Sequence, residues 1–386
     1  MHKTGILTIL FLLVSISLFA QQKLSGTITD QTTGQPVAFA TVQAKGASSV
    51  LSNQSGDFEI LVPALPAMVT ISHINFQSVT LKPVKAEEKL IISMVQKVLT
   101  LNEVTVGNPA IAIMQAASDK GVRNAAKAHY GKAFLRQIAY DTDKPVYMNE
   151  MFFDAEWKAY GLLKWHPSQA RHLAASRGLS YNNFSFYSFV LSGYLTNNYG
   201  LKPLLGRVDS LYTLKLAGTF MEGGQEIAKI SCTPKSKIKG QRFQGTYYIN
   251  TVTDDVLKIE GSILGVVFHG GGPVSVKNEE TIFVAQYRIN KNGDNVLDYS
   301  LLNTTNKIKL MGFGVQRTDL FSTLYMADDD QVNQSLLTAI TPEIDDTKTV
   351  KAITFDPLFW QANQGIKRTE REQTAIEYLE KIPQKK

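Results

Sequence analysis

Six histidines, His2, His73, His129, His166, His172 and His269, are the first places to look for chemistry in this chain. None belongs to a His-Glu-x-x-His pair, the spacing that lets one helix face grip zinc, and the lone Cys232 excludes a Cys-x-x-Cys ligand pair. His166 and His172 stand six apart with Asp154 and Glu156 upstream. This is the best acid–base or metal grouping available, and its spacing misses the helical one. A serine nucleophile held on a strained Gly-x-Ser-x-Gly turn does not occur. Gly270-Gly-Gly272 after His269 has the composition of an oxyanion loop, but with no such nucleophile it reads as a flexible hairpin tip. Cys232 lies in an alternating run, where a small buried thiol is expected. The pairs Asp254/Asp255 and Glu279/Glu280 fall at turns or strand starts and read as solvated edges. No catalytic residue, cofactor site or metal ligand is predicted.

Rings are more telling than ionisable groups. Residues 161–205 lose periodicity and carry Trp165, Tyr181, Phe184, Phe186, Tyr187, Phe189, Tyr194 and Tyr199. A long interruption inside a sheet domain is unusual, and such segments tend to carry function. Trp165, Tyr181, Tyr187 and Tyr194 are therefore the ligand-binding candidates, since rigid rings offer contact area at low entropy cost. The competing reading packs the same rings into the core on short helices.

The elements that must position these residues are mostly strands. Met1–Ala20 has a weakly basic start, an apolar run from Gly5 to Leu18 and a small-residue exit, the form of a signal peptide cleaved near Ala20. The single cysteine means that an exported fold must stand on packing alone. From residue 21 to 106, short alternating runs are broken by Gly, Pro, Asn and Asp, which spells a small antiparallel sandwich. Leu24, Gly26 and Ile28 share a face, as do Phe58, Ile60 and Val62; Gly34 and Gly56 sit at turns that need positive φ. Leu90–Val95 is apolar enough for a central strand.

Residues 107–330 form the second domain. Pro109 opens a helix running to about Lys127, with Ile111, Met114, Ala117 and Val122 at helical spacing. Strand runs follow at 130–138 and 146–154, and again from Leu211 to about Ala327, with hairpin turns at Thr253–Asp255 and Asn290–Asp294. So dense a series implies a curved antiparallel meander with the Pro109 helix over one face. Residues 331–386 are a tail with a short helix, pinned by Phe359 and Trp360. The fold class is mainly β: a seven-stranded sandwich and a second α+β domain.

The order Gly26-Thr-Ile-Thr-Asp30, Gly34-Gln-Pro-Val37, Ala40-Thr-Val42 and Gly56-Asp-Phe58 resembles the carboxypeptidase-regulatory-like domain of Bacteroidetes envelope proteins. That resemblance implies a prealbumin-like β-sandwich, which is the non-catalytic companion of the peptidase. Leu101-Asn-Glu-Val-Thr-Val106 resembles the segment leading into the plug of TonB-dependent receptors, but too few residues follow for the receptor barrel. The run from Pro109 through Asn124, Tyr130, Lys132, Arg136, Glu150 and Asp154 resembles a Bacteroidetes envelope family of unassigned function, and Arg242–Asn250 is similar to a strand pair in it. The meander resembles, in architecture alone, open periplasmic barrels that bind lipid or lipoprotein chains.

The chain carries 40 Lys and Arg against 34 Asp and Glu, scattered rather than massed, so a nucleic-acid surface is not expected. No second long apolar run follows the first, so no transmembrane helix is expected either. The expectation is a non-enzymatic envelope protein, in the periplasm or at the outer membrane. Its partner would be a polysaccharide, a lipid or an outer-membrane protein. The alternatives are an exported hydrolase around His166, His172 and neighbouring carboxylates, or an accessory to outer-membrane transport.

Overall fold

The computed structural model describes residues 21–86, 88–100, 107–175, 183–196, 201–204, 206–268, 274–310, 314–328 and 331–382. The signal-peptide reading of Met1–Ala20, the receptor-like stretch 101–106, Tyr181, Tyr199 and the His269–Gly272 loop fall outside them. The chain divides into two compact units, Met1–Lys97 with Ile366–Glu370, and Val98–Gly365 with Arg371–Lys386.

In the first unit, β1 (Gln22–Asp30), β4 (Asp57–Val62) and β7 (Leu90–Met94) form one sheet in the order β4-β1-β7. The other sheet runs β3-β2-β5-β6, from β2 (Thr41–Ala44), β3 (Val50–Leu51), β5 (Val69–His73) and β6 (Phe76–Leu81). Alternation along β1 and β4 sends Leu24, Ile28, Phe58 and Ile60 into the space between the sheets, where each is sealed from solvent. Gly26 belongs to that inward row because a Cβ there would meet the Phe58 ring at 2.5 Å. Gly34 and Gly56 take φ of 69° and 76° as their turns require. The Asn53 side chain accepts from the Ser55 and Asp57 amides and shapes the turn into β4. Asp57 is occupied by Thr27 and Lys89.

Two expectations for this unit are corrected. The sandwich is not wholly antiparallel, because β7 pairs parallel to β1. Nor is β7 central: it is an edge strand with Ile91 74% exposed, and its apolar residues are buried only at alternate positions. A continuous apolar run marks a strand buried on both faces only where both faces of the sheet are covered, and here only the face toward the second sheet is.

The second unit is built on one curved sheet of eleven strands: β8 (His129–Asp141), β9 (Lys144–Lys158), β10 (Gly161–Ala174), β11 (Tyr212–Glu222), β12 (Gln225–Pro234), β13 (Arg242–Asn250), β14 (Val256–Leu264), β15 (Val274–Ile289), β16 (Asn295–Leu310), β17 (Gly314–Asp328) and the two-residue β18 (Thr338–Ala339). Their order is β11-β12-β13-β14-β15-β16-β17-β8-β9-β10-β18, with all neighbours antiparallel. The β17–β8 pairing, Leu324 opposite Leu135, joins the early and late strands into one surface. Extra residues break the register at several points, including Pro167/Gln169 and Asn278/Glu280. Such bulges bend a strand and raise its local twist.

One face of this sheet carries the main core. Helix α1 (Pro109–Asn124) lies on it, burying Ala110, Met114, Ala117, Ser118 and Gly121. Its N-cap Asn108 accepts from the Ala110 amide, and Pro109 holds the first turn, where a missing N–H costs nothing. The helix stops at Asn124, short of Lys127, and Val122 faces outward, half exposed. Helix α2 (Phe184–Leu191) packs beside β10 on the same face. The tail adds α3 (Asp346–Lys351), α4 (Pro357–Ala362) and α5 (Glu370–Glu380). Ala375, Ile376 and Leu379 of α5 cover Ile138, Tyr140 and Met148 on the opposite face. Trp360 is buried against Phe152, as the pinning role foresaw.

Candidate functional site

Residues 161–205 are more regular than their sequence. They open with β10, so Trp165 is a strand residue, 1% exposed, edge-on to Phe153 and Phe189. Tyr194 is equally enclosed, its ring 5.4 Å from Tyr287 and 6.0 Å from Trp157, and burial pushes its hydroxyl far above the usual tyrosine range. These two candidates belong to the core, where large flat rings fill the space between sheet and α2. Tyr181 lies outside the described residues. Tyr187 alone among the described candidates faces solvent, 37% exposed on the outer side of α2. It packs against Phe184, Phe186 and Phe268 at centroid distances of 6.0 to 6.1 Å. Val190, three residues further along α2, and Val267, next to Phe268, are exposed as well, so apolar side chains gather on this surface.

The orientation of α2, and hence of Tyr187, is set by a carboxylate from elsewhere in the chain. Asn183, at the N-cap position, has φ of 63° and makes no side-chain cap. Asp346, fully buried at the start of α3, takes over: it accepts from the Asn183 amide at 2.9 Å, the Ser185 amide at 3.0 Å and the Ser185 hydroxyl at 2.5 Å. An anion at a helix N-terminus satisfies unpaired N–H groups and complements the helix dipole.

Next to the patch, two strands part. β14 and β15 are paired only through Lys258–Ser262 opposite Gln286–Ile282. Beyond Ser262 they diverge around a half-open cleft of about 560 Å³. Leu264 and Val266 form one wall; Asn278, Glu280 and Thr281 form the other, with Arg317 alongside. The bulge at Asn278/Glu280 turns β15 away and is fixed by the Asn278 amide, which donates to Asn306 Oδ1 at 2.9 Å and accepts from Thr281 Oγ1 at 3.2 Å. Glu279 pairs with Lys307 at 2.5 Å, and Arg317 grips Asp319 through two nitrogens. The Val266 wall runs on through Val267 to Phe268, so cleft and aromatic patch share one segment. Among the described residues neither histidine nor cysteine lines the cleft. The arrangement can hold a ligand by hydrogen bonds on one side and apolar contact on the other.

His166 and His172 do not come together. His166 sits opposite Asp154 and His172 opposite Asn149, and the bulge at Pro167/Gln169 between them shifts the alternation by one. Their six-residue spacing would otherwise put them on one face; the inserted residue sends them to opposite faces. Burial, with Lys351 nearby, brings His172 down to about 4, so its ring is neutral. Cys232 is buried and its thiol pushed well up, the inert state expected of a structural cysteine. His73 lies in β5 and its Nδ1 accepts from the Asn75 amide.

The cleft residues were passed over in the sequence because Glu279 and Glu280 look like any solvated pair. The run also blurs its own parity: Val274 and Val276 are apolar at even positions and Phe283, Ala285 and Tyr287 at odd ones, but Ile282 and Val284 between them are apolar too. A clean change of parity inside one run is how a bulge is written, and this run does not show one.

Residues 23–94 match the carboxypeptidase regulatory-like domain, which accounts for the first unit only. No curated protein matches the chain. Among solved structures, a DUF1329 family protein from Desulfovibrio piger aligns over 59% of this chain and 97% of its own, at 11% identity and a TM-score of 0.25. A LolA superfamily protein from Nitrosomonas europaea aligns over 57% and 94%, at 12% identity and 0.20. A membrane-associated protein of unknown function from Bacteroides fragilis aligns over 80% and 98%, at 13% identity and 0.17. Scores this low do not establish a shared fold. Among the described residues no helix is long and apolar enough to cross a membrane.

Proposed function

We propose that this chain is a non-enzymatic binding protein of the bacterial cell envelope, and that its ligand is a surface polysaccharide held in the β14–β15 cleft. One observation carries the reading: the wall of a half-open polar cleft of about 560 Å³ ends at Val266, two residues before Phe268, whose ring packs on that of Tyr187. Sugars present both surfaces at once, with hydroxyls for Glu280, Asn278 and Thr281 and C–H faces for the rings. A lipid would favour an apolar enclosure, which this charged and open cleft is not. The envelope setting is supported by the signal-peptide form of Met1–Ala20, and a Bacteroidetes origin by the residue order of the first unit. Against a hydrolase stands the separation of His166 and His172 by the thickness of the sheet.

The test is titration calorimetry of the purified chain against envelope polysaccharides and their oligosaccharides, for the wild type, Glu280→Ala and Tyr187→Ala. Each substitution should weaken retention at least about tenfold, or about 1.4 kcal/mol, with melting unchanged. Equal retention by all three proteins removes the cleft from consideration.

A further inference from the structure

The cleft between β14 and β15 is a gap in a sheet, so strand edges as well as side chains make its walls. The ladder joining the two strands ends at Ser262 opposite Ile282. Past that point β15 is paired only on its other side, from Thr281 opposite Thr304 to Val274 opposite Leu310. Likewise β14 is paired only with β13, Ile263 opposite Phe243 and Leu264 opposite Arg242. A strand sends the N–H and C=O groups of alternate residues to opposite sides. Each wall therefore turns backbone donors and acceptors toward the gap, with no neighbouring strand to take them.

Such edges suit an amide. A trans secondary amide carries its N–H and C=O on opposite sides, as a peptide unit does, so it can bond to both edges as a strand lying between them would. A whole strand fits less well. β14 stops at Leu264, and Gly265, with φ of 72°, turns the chain away. An inserted strand would be held on that side by Ile263 and Leu264 alone, where strands commonly run about five or six residues. A single amide needs no more.

The side chains narrow the class further. Leu264 and Val266 offer contact to a methyl group, and Ser262, Thr281 and Thr305 offer hydroxyls. A sugar ring with an acetamido substituent brings the matching set: the amide, the methyl and ring hydroxyls. Charge points the same way. Lys307 holds Glu279 and Arg317 holds Asp319, which leaves Glu280 as the cleft carboxylate with no cation partner among the described residues. A uronic acid would meet that charge uncompensated, whereas an acetamido sugar is neutral.

We propose that the cleft selects a glycan whose sugars carry acetamido groups, a polymer of N-acetylated amino sugars. The preference rests on the cleft being a sugar site and adds which sugar it takes.

The experiment is titration calorimetry of the full chain against β-linked N-acetylglucosamine, glucosamine and glucose oligomers of equal length, an oligogalacturonate, and an acetylated Thr-Val repeat peptide. The N-acetylglucosamine oligomer should bind at least about tenfold tighter than the glucose one, since it adds both a methyl contact and amide hydrogen bonds. The oligogalacturonate should bind weakest. Val266→Thr keeps the shape of the side chain and exchanges a methyl for a hydroxyl, so it should shrink the ratio between the first two; its melting temperature shows that it is folded. Equal affinity for the acetylated and plain oligomers overturns the proposal and leaves the sugar site standing. So does preference for the glucosamine oligomer, which would make Glu280 the selector of an ammonium group. A folded Val266→Thr protein with the wild-type ratio overturns it too. Tighter binding of the peptide, or no binding of any oligomer by a protein that also fails to retain envelope polysaccharide, brings down the sugar site itself.

Discussion

Replacing Asp346 with alanine should loosen α2 without touching the cleft. The carboxylate accepts three hydrogen bonds at 2.5 to 3.0 Å, and all of them end on the first residues of α2. An exposed cap is worth about 0.5–2 kcal/mol. Here Asp346 and Ser185 are fully buried, so loss of the carboxylate leaves the Ser185 amide and hydroxyl without either protein or bulk water to bond to. At about 1–3 kcal/mol for each stranded donor, offset by relief of the buried charge, the net cost is about 3 kcal/mol. By the usual 1.4 kcal/mol per factor of ten, that corresponds to roughly a hundredfold rise in local opening. Hydrogen exchange of the 184–191 amides reads it directly, with denaturant unfolding as a measure of global loss. Asp346→Asn keeps one acceptor and should cost about 1 kcal/mol. Since α2 carries Tyr187, polysaccharide retention should fall together with protection of the helix. Unchanged exchange at 184–191 in a variant whose global stability has dropped would show that something else holds the helix, and the reasoning would fail.

Lys202 is wholly buried, donates to the Leu191 and Gly193 carbonyls at 2.8 and 2.5 Å, and is brought down to about 7 by desolvation. Between about pH 7 and 10.5 the unfolded chain therefore holds a proton that the folded one has released, so stability rises with pH across that window. Lys202→Met should flatten the rise in denaturant midpoints; an unaltered slope counts against it. On the opposite face, Arg136 Nε donates to fully buried Glu150 at 2.7 Å and its Nη2 to the Gln364 carbonyl at 2.9 Å. Arg136→Met alone should cost about 3–5 kcal/mol, and adding Glu150→Leu should recover much of it, because the penalty is the stranded charge. A double variant no better than the single one would assign the loss to packing.

Much of the sandwich could be read directly because its turns are local: Gly34, Gly56 and Asn53 act through neighbours within a few residues. The strands of the larger sheet were legible one by one, but the pairing of Leu324 with Leu135 depends on a closure that no local pattern encodes. Composition could not sort the rings either. Tyr187 and Phe189 stand two apart on one short helix, and only the covering sheet decides that Phe189 is sealed while Tyr187 meets solvent.

The site failed to show for a related reason. Motif reading assumes an unbroken period, and in this sheet the informative positions are where the period breaks. One inserted residue at Pro167/Gln169 parts two histidines that spacing would have united. Another at Asn278/Glu280 turns β15 from β14 and opens a cleft from side chains that looked like an ordinary edge. A regular antiparallel sheet commits its backbone groups to neighbouring strands and its inward side chains to the core, leaving little with which to bind. A bulge frees both at once, an unpaired stretch of strand and side chains turned off the core face. It follows that restoring the period by deleting Glu279 should re-pair the strands and close the cleft, whereas mutating any one lining residue only weakens it.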